Sequence, residues 1–163
     1  MQTLTSLTLA EKMNQQRIRK GAFFMPAHPV HLSRIKITNE DITIHEGYKD
    51  TLQGQIYIGP TVTCFHNGGP VAMFGFVPIW KGLAEAWFVV DDEARKYPIA
   101  MTKYGKCVQD IAMISMGLHR LQITVRNSDK RAKDWAYAIG FQKECLMSRY
   151  GPDGSDYLLM ARF

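Results

Sequence analysis

The chain has 163 residues, of which 46% are hydrophobic and 21% are charged. This composition suits a single globular domain and excludes a disordered chain, and no apolar run reaches the length that a membrane-spanning helix needs. The N-terminus lacks the basic start and the apolar core of a secretory signal, so none is expected.

Positive charge is concentrated in one part of the chain. The net charge is +5, and the segment from Arg95 to Trp135 contains nine Lys and Arg residues against three Asp and Glu residues. A basic block in an otherwise neutral domain indicates an anionic partner, such as nucleic acid, a nucleotide cofactor or an acidic protein. A solvated helix face without a partner is the alternative.

The three cysteines are too few and too widely spaced for a disulfide scaffold. Cys64, Cys107 and Cys145 form no zinc-type pair, so no metal site is expected. The pattern favours reduced thiols in a cytosolic protein.

The N-terminal segment is predicted to be a helical arm. A capping-box pattern at Thr8–Glu11 predicts a helix over Leu9–Lys20, and Gly21 ends it. Prolines then make an irregular link. Residues 1–30 are therefore expected to form an arm on a main domain of residues 31–163, whose first part, residues 32–55, has no clear pattern.

From residue 61 onward, the sequence predicts three consecutive strands, then two helices separated by a strand, and then two further strands. The predicted strands are Thr61–His66, Val71–Val77, Leu83–Val90, Leu121–Val125, Phe141–Tyr150 and Asp156–Phe163, and the predicted helices are Pro98–Met116 and Asp129–Ile139. Short turns give an antiparallel meander, whereas helical crossovers require a mixed sheet. We expect an α/β (α+β) fold with a mixed, mostly antiparallel sheet and helices on both faces.

The second half also contains short motifs in a characteristic order. The run Leu121–Asn127 is followed by a helix, then by Ile139-Gly140-Phe141, and then by the turn Tyr150–Gly154. This set resembles the GCN5-related N-acetyltransferase (GNAT) superfamily over about residues 32–163. The resemblance implies a GNAT-like acyl-CoA N-acyltransferase domain that uses acetyl-CoA and an amine acceptor.

A narrower resemblance concerns Trp87–Val90 and Tyr97–Ala100. These runs are similar to divergent acetyltransferase-like proteins of tailed phages, including internal virion and morphogenesis proteins of T7-like phages. This resemblance implies a location in the host cytoplasm or the virion. It also implies phage or host proteins as partners, and no membrane partner is expected. A catalytically inactive protein that acts in virion assembly or host interaction is the alternative function.

The GNAT resemblance also implies which residues hold the cofactor. The pyrophosphate is expected at the start of the helix that begins at Pro98, and the adenine-side phosphate is expected near the next helix. The pantetheine arm is expected to lie along the strand Leu83–Val90, where a backbone N–H faces the thioester carbonyl. The residues implied are Phe88, Val89, Val90, Arg95, Lys96, Ile99, Ala100, Asn127, Lys130 and Arg131. Asn127 is equally interpreted as a helix cap.

Three residues are candidates for proton transfer. Glu85, on the cofactor strand, is the candidate base, and its alternative role is an ion pair at the rim. His66 is a second candidate base, and its alternative role is structural. The family's usual acid, a Tyr, corresponds to Ala136 here. Tyr137 is the next residue, about 100° round the helix, and it can serve as the acid only if the helix shifts. The alternative is that Tyr137 has a packing role.

The loop before Pro98 departs from the family pattern because residues 93–100 contain no glycine. Glycines let a backbone wrap closely round a pyrophosphate, so the cradle is expected to be poorer here. An active transferase predicts an open gap beside Val89 and Val90, whereas an inactive scaffold predicts a gap plugged by Trp87, Tyr97 or Trp135. Nucleic-acid binding ranks last because the basic residues form no stacking platform of exposed aromatics.

Overall fold

The computed structural model describes residues 3–36 and 48–163. In this part of the chain the strands are β1 (Ala22–Pro26), β2 (Thr61–His66), β3 (Gly69–Trp80), β4 (Leu83–Val90), β5 (Arg120–Arg126), β6 (Gln142–Met147) and β7 (Tyr157–Arg162). The helices are α1 (Ser6–Asn14), α2 (Pro29–Arg34), α3 (Tyr48–Ile56), α4 (Pro98–Ser115) and α5 (Lys130–Ala138), with a 3₁₀ turn at Ala94–Lys96. The strands form one seven-stranded sheet in the order β1-β2-β3-β4-β5-β7-β6.

The predicted mixed, mostly antiparallel sheet is confirmed. Strands β1 to β4 pair antiparallel in sequence order, and β7 pairs antiparallel with both β5 and β6. The β2–β3 hairpin turns at Asn67 and Gly68, which both have positive φ, as a two-residue hairpin turn requires. The parallel pair is β4 with β5, which α4 connects by a crossover.

Helices cover both faces of the sheet. On the first face α1, α4 and α5 cover a core that includes the fully buried Leu9, Phe74 and Phe141. On the second face α2 and α3 cover a smaller core that includes Leu32 and Met73. Among the described residues, no helix is long and apolar enough to cross a membrane.

The N-terminal segment differs from the predicted arm. Helix α1 starts one turn earlier than expected, because Thr5, and not Thr8, caps it by accepting a hydrogen bond from the Thr8 amide at 3.1 Å. The expected irregular link contains β1, which is an edge strand of the sheet. The described part of residues 1–30 therefore belongs to the same sheet and core as the rest.

Other boundaries also moved. The unpatterned stretch contains the end of α2 and nearly all of α3, and its residues 37–47 lie outside the described residues. Strand β3 continues through Pro78 to Trp80; β2 ends its pairing at Gly75, so a proline without an N–H is tolerated on that free edge. Strands β4 and β5 and the start of α4 lie close to where they were predicted.

Candidate active site

The central feature of the molecule is a groove between β4 and β5. The two strands pair only through Leu83–Glu85 and Arg120–Gln122, and they separate beyond Glu85 and Gln122. The cavity between them has a volume of about 520 Å³. This is within the size range of pockets that bind small molecules and cofactors.

The groove exposes backbone hydrogen-bonding groups. The Asp91 amide donates to the Val71 carbonyl, so Asp91 points toward β3, and by alternation Phe88 and Val90 point their N–H and C=O groups away from β3 into the groove. In the same way the Asn127 amide donates to the Asp156 carbonyl on the β7 side, so by alternation the backbone N–H and C=O groups of Thr124 point into the groove from its opposite wall. Unpaired strand edges of this kind accept an extended ligand.

Glu85 lies at the apex, where the strands separate. It lines the groove and is half-buried, and burial raises the pKa of its carboxyl group, while hydrogen bonding from Gln122 opposes the shift. The Gln122 Oε1 accepts a hydrogen bond from Arg120 at 3.1 Å, which directs the amide nitrogen of Gln122 away from Arg120. A raised pKa makes the Glu85 carboxylate a better proton acceptor than an exposed carboxylate.

The three bulky residues predicted to plug the gap in an inactive scaffold leave it open. Trp87 lies across Gly75 of β3, so closely that a Cβ at Gly75 would be 2.3 Å from the indole ring. Trp135 stands on one wall with its ring edge-on to Phe88, at 5.4 Å between centroids. Tyr97 turns away from the groove and packs against His66. The plugged groove predicted for an inactive scaffold is not observed.

The mouth of the groove on the α4 side carries positive charge. Arg95 and Arg131 both line it, and the pKa of Arg95 is lowered, chiefly by burial and next by the charge of Arg131. Asp92 contacts Arg95 at 3.6 Å, and Asp129 also stands nearby. Two guanidinium groups that repel each other at a cavity mouth favour an anionic ligand.

The first turn of α4 lies beside these arginines. Tyr97 precedes Pro98 and provides no side-chain cap, and the first helical hydrogen bond runs from the Met101 amide to the Tyr97 carbonyl at 3.0 Å. The amides of Ile99 and Ala100 precede that bond and have no intrahelical acceptor. Such amides, with the helix dipole, favour an anion.

Some predicted cofactor residues face away from the groove. Lys96 is exposed and pairs with Glu93 at 2.8 Å, and Lys130 is exposed and pairs with Asp134. The side chain of Ile99 is 86% exposed, and Val89 is buried on the second face, so only their backbones are near the site. These side chains face away from the groove because neighbouring residues on a helix or strand point in different directions.

Asn127 is neither a helix cap nor a groove residue. Its backbone amide bonds to Asp156, and Asp129 caps α5 by accepting a hydrogen bond from the Ala132 amide at 3.0 Å. Ala100, also predicted, packs on the first core rather than on the groove. Of the predicted cofactor residues, the side chains at the groove are those of Phe88, Val90, Arg95 and Arg131.

Two predicted proton-transfer residues are not brought to Glu85. Tyr137 is 43% exposed and lies outside the groove, whereas Ala136, one residue earlier on α5, lines it. His66 lies at the end of β2 against the Tyr97 ring, at 5.1 Å between centroids. Glu85 is therefore the only one of the three candidates in the groove.

Sequence reasoning missed part of the lining. From α3 come Thr51, Leu52 and Gln55, and from the second half come Thr124, Arg126 and Tyr157. Arg126 is buried and pairs with Asp153 at 2.9 Å. Hydrogen bonds from Ser155 and next from Arg126 hold the pKa of Asp153 well below its usual range.

Buried polar atoms without hydrogen-bond partners concentrate at the groove. Among the described residues these include Gln55 Oε1, Trp87 Nε1, Arg95 Nε and Trp135 Nε1, and all four residues line it. Buried polar groups are normally satisfied, so such a concentration is typical of a site that a ligand completes. Among the described residues, no three His, Cys, Asp or Glu side chains are grouped to hold a metal.

No protein-family model matches the chain, and no curated protein matches it. Solved structures match its fold. A GNAT-family acetyltransferase from Bacillus anthracis has a TM-score of 0.68 at 11% identity, over 88% of this chain and 96% of that one. A GNAT-family acetyltransferase from Elizabethkingia anophelis, with acetyl-CoA bound, has a TM-score of 0.65 at 12% identity, over 88% of this chain and 99% of that one.

A ribosomal-protein-S5-alanine acetyltransferase from Vibrio fischeri has a TM-score of 0.64 at 13% identity, over 89% of this chain and 94% of that one. Identities this low compare folds and not activities. The chain therefore has the GNAT acetyltransferase fold, in which α and β elements form a seven-stranded, mostly antiparallel mixed sheet covered by helices.

Proposed function

We propose that this protein is an acyl-CoA-dependent N-acyltransferase that moves an acyl group, with acetyl as the first candidate, from coenzyme A to an amine. The observation that carries the proposal is the gap between β4 and β5, which presents the backbone of Phe88 and Val90 and has Glu85 at its apex. A solvated helix face or a purely structural domain has no need of such a gap.

The residues at the groove fit the chemistry of coenzyme A. The amide-rich pantetheine arm matches the free strand edge at Phe88 and Val90, which offers both donors and acceptors. The diphosphate matches Arg95, Arg131 and the first amides of α4 at the mouth. When bound, acyl-CoA supplies the activated thioester carbonyl.

Glu85 is the residue we assign as general base. An amine acceptor is protonated near neutral pH and must lose a proton before it can attack a carbonyl. Burial raises the pKa of Glu85, which makes its carboxylate a better proton acceptor than an exposed one. Its place at the apex puts it at the narrow end of the gap, opposite the mouth that holds Arg95 and Arg131.

The protein has no tyrosine where the family's usual acid stands. Ala136 lines the groove there, and Tyr137 points elsewhere. Tyr157 lines the groove beside Arg126, but Arg126 is four residues along β5 from Gln122, about 13 Å away. We therefore assign no side-chain acid, and we expect the departing thiolate to take its proton from water.

The role in a tailed phage, and a place in the host cytoplasm or the virion, stay predictions from the sequence resemblance. The open groove favours the transferase over an inactive scaffold that keeps the fold for assembly or host interaction. A virion protein can also be a transferase, so the two ideas are tested separately.

Calorimetry with acetyl-CoA and with free CoA tests the proposal directly. We expect saturable heat with both ligands and a rise in the melting temperature, followed by release of thiol when a panel of primary amines is added. No heat and no thermal shift at millimolar ligand would overturn the proposal. Binding without thiol release across the panel would favour the inactive alternative.

A further inference from the structure

Tyr97 stands at the junction between the groove and the first turn of α4, and its ring is fixed on the side away from the groove. The His66 ring contacts it edge-on, with 5.1 Å between centroids, and the Arg19 guanidinium lies 4.4 Å from the ring centre. We call Arg19, His66 and Tyr97 the Tyr97 clasp. These residues come from three separate parts of the chain.

The backbone of Tyr97 joins the two structures that form the mouth. Its amide donates to the Ala94 carbonyl at 3.0 Å and closes the 3₁₀ turn that carries Arg95. Its carbonyl accepts the first helical hydrogen bond of α4, from Met101 at 3.0 Å. Because Tyr97 belongs to both structures, the orientation of Tyr97 decides where Arg95 lies relative to the free amides of the helix.

Arg19 is held over the ring by its backbone and not by an acidic side chain. Its amide donates to the Tyr104 hydroxyl at 2.6 Å, and Lys103 Nζ donates to the carbonyl of Arg17. Among the described residues, no carboxylate forms an ion pair with Arg19. The N-terminal segment is thus fastened along α4, and the guanidinium is available for the aromatic face.

We infer that the Tyr97 clasp is a positioning device for the phosphate groups of the acyl donor, and that it provides the fixed mouth geometry that residues 93–100 achieve without any glycine. Tyr97 and Arg19 are positioning residues in this scheme, because Tyr97 is part of the backbone that carries the anion-binding groups and Arg19 acts through the Tyr97 ring. The inference rests on the proposed function, and it adds a role for the N-terminal segment at the donor site.

Two ligands distinguish positioning from simple stabilisation. Coenzyme A carries phosphate groups, whereas pantetheine contains the arm alone, so a defect at the mouth weakens only the first. Affinities for CoA by calorimetry, and for pantetheine by displacement of acetyl-CoA, are measured for the full chain and for R19A, Y97A, Y97F and R17A. The R17A variant is the matched control, because it removes a neighbouring positive charge whose side chain is outside the clasp.

We expect R19A to weaken CoA binding about threefold or more and Y97A about tenfold, with pantetheine affinity unchanged in both. Y97F keeps the ring and R17A keeps the clasp, so both are expected to bind CoA within about twofold of the parent. In turnover, the losses are expected in KM for acetyl-CoA and not in kcat.

Equal losses for CoA and pantetheine, or unchanged CoA affinity in R19A, would overturn the inference while the parent protein's CoA binding leaves the proposed function standing. A parent protein that binds no CoA would overturn both. If Y97A does not fold, as its melting curve would show, R19A against R17A decides the matter alone.

Discussion

The two edges of strand β4 differ in how far they are paired with a neighbouring strand. Toward β3 the strand is paired along its length, from Leu83 to Val90, whereas toward β5 it is paired only as far as Glu85. Each strand continues to pair on its other side, β4 with β3 and β5 with β7, so the gap arises where β4 and β5 diverge beyond Glu85 and Gln122. A site made in this way consists largely of unpaired backbone, and few side chains record it in the sequence.

Side-chain sizes on the two edges agree with this difference. On the paired edge, Gly75 leaves room for the Trp87 ring, so β3 and β4 stay in register beneath it. On the open edge, Trp135 stands against Phe88 and fills the space beside the strand without closing it. Small residues permit pairing at one edge, and an aromatic wall supports the gap at the other.

The largest effect is expected at the point where the edges diverge. Glu85→Gln keeps the size and the polarity of the side chain but removes its basicity, so we expect kcat to fall about a hundredfold or more. Calorimetry should show unchanged CoA affinity. Full activity in E85Q would remove Glu85 from the mechanism and leave the gap as a binding site only.

The paired edge is tested at Gly75. Gly75→Val places its first carbon 2.3 Å from the Trp87 indole, which forces that ring, itself part of the groove lining, to move. We expect a loss of about 1–3 kcal/mol in the free energy of unfolding, measured with urea, and weaker acetyl-CoA binding.

The control for that variant is Gly54→Ala on α3, where a Cβ meets nothing within 4 Å. We expect a gain of about 0.5–1 kcal/mol, because glycine is a poor helix former. If G75V matched this control, the close contact between Gly75 and Trp87 would not matter.

The mouth of the open edge is tested with its charges. Arg95→Ala and Arg131→Ala are each expected to raise KM for acetyl-CoA about tenfold, because each removes a charge-assisted contact with phosphate. Lys130→Ala is the control, since Lys130 neighbours Arg131 in sequence but faces solvent and pairs with Asp134. Equal effects of K130A and R131A would indicate general electrostatic attraction.

The smallest effect concerns the pH dependence at the apex. Because Glu85 acts deprotonated and its pKa is raised, kcat/KM is expected to rise with pH through a value above the ordinary 4.5. Gln122→Leu removes a hydrogen bond that lowers this pKa, so the acid limb of the profile should move to higher pH. A profile that moves to lower pH would contradict the assignment of Glu85.

Much of the fold could be predicted, because strong local signals coincide with the tertiary structure. The apolar run Leu83–Val90 and the proline at position 98 mark β4 and the start of α4 with little error. By contrast, β1 was missed because an edge strand contacts one neighbour only, and its five residues end in a proline that suggests a link. Helix α3 was missed because its residues have little amphipathic pattern.

The site was less predictable than the fold. Glu85, Arg95 and Arg131 could be selected because the GNAT resemblance implies a donor site along β4 and at two helix starts, where charged side chains have a clear chemical meaning. Gln55 and Tyr157 could not, since their place depends on how α3 and β7 pack against the parted strands. Asn127 and Asp129 are both residue types that suit a helix N-cap, and in the structure Asp129 occupies that position.

The short ladder between β4 and β5 also divides the sheet mechanically. Strands β1 to β4 form one continuous hydrogen-bonded block and β5 to β7 another, and the two blocks share pairing only at Leu83–Glu85. The amides of Phe88 and Thr124 lie inside the sheet yet have no strand partner, so hydrogen exchange there should be fast until a ligand spans the seam. A bound donor would then bridge the two blocks and couple their opening motions.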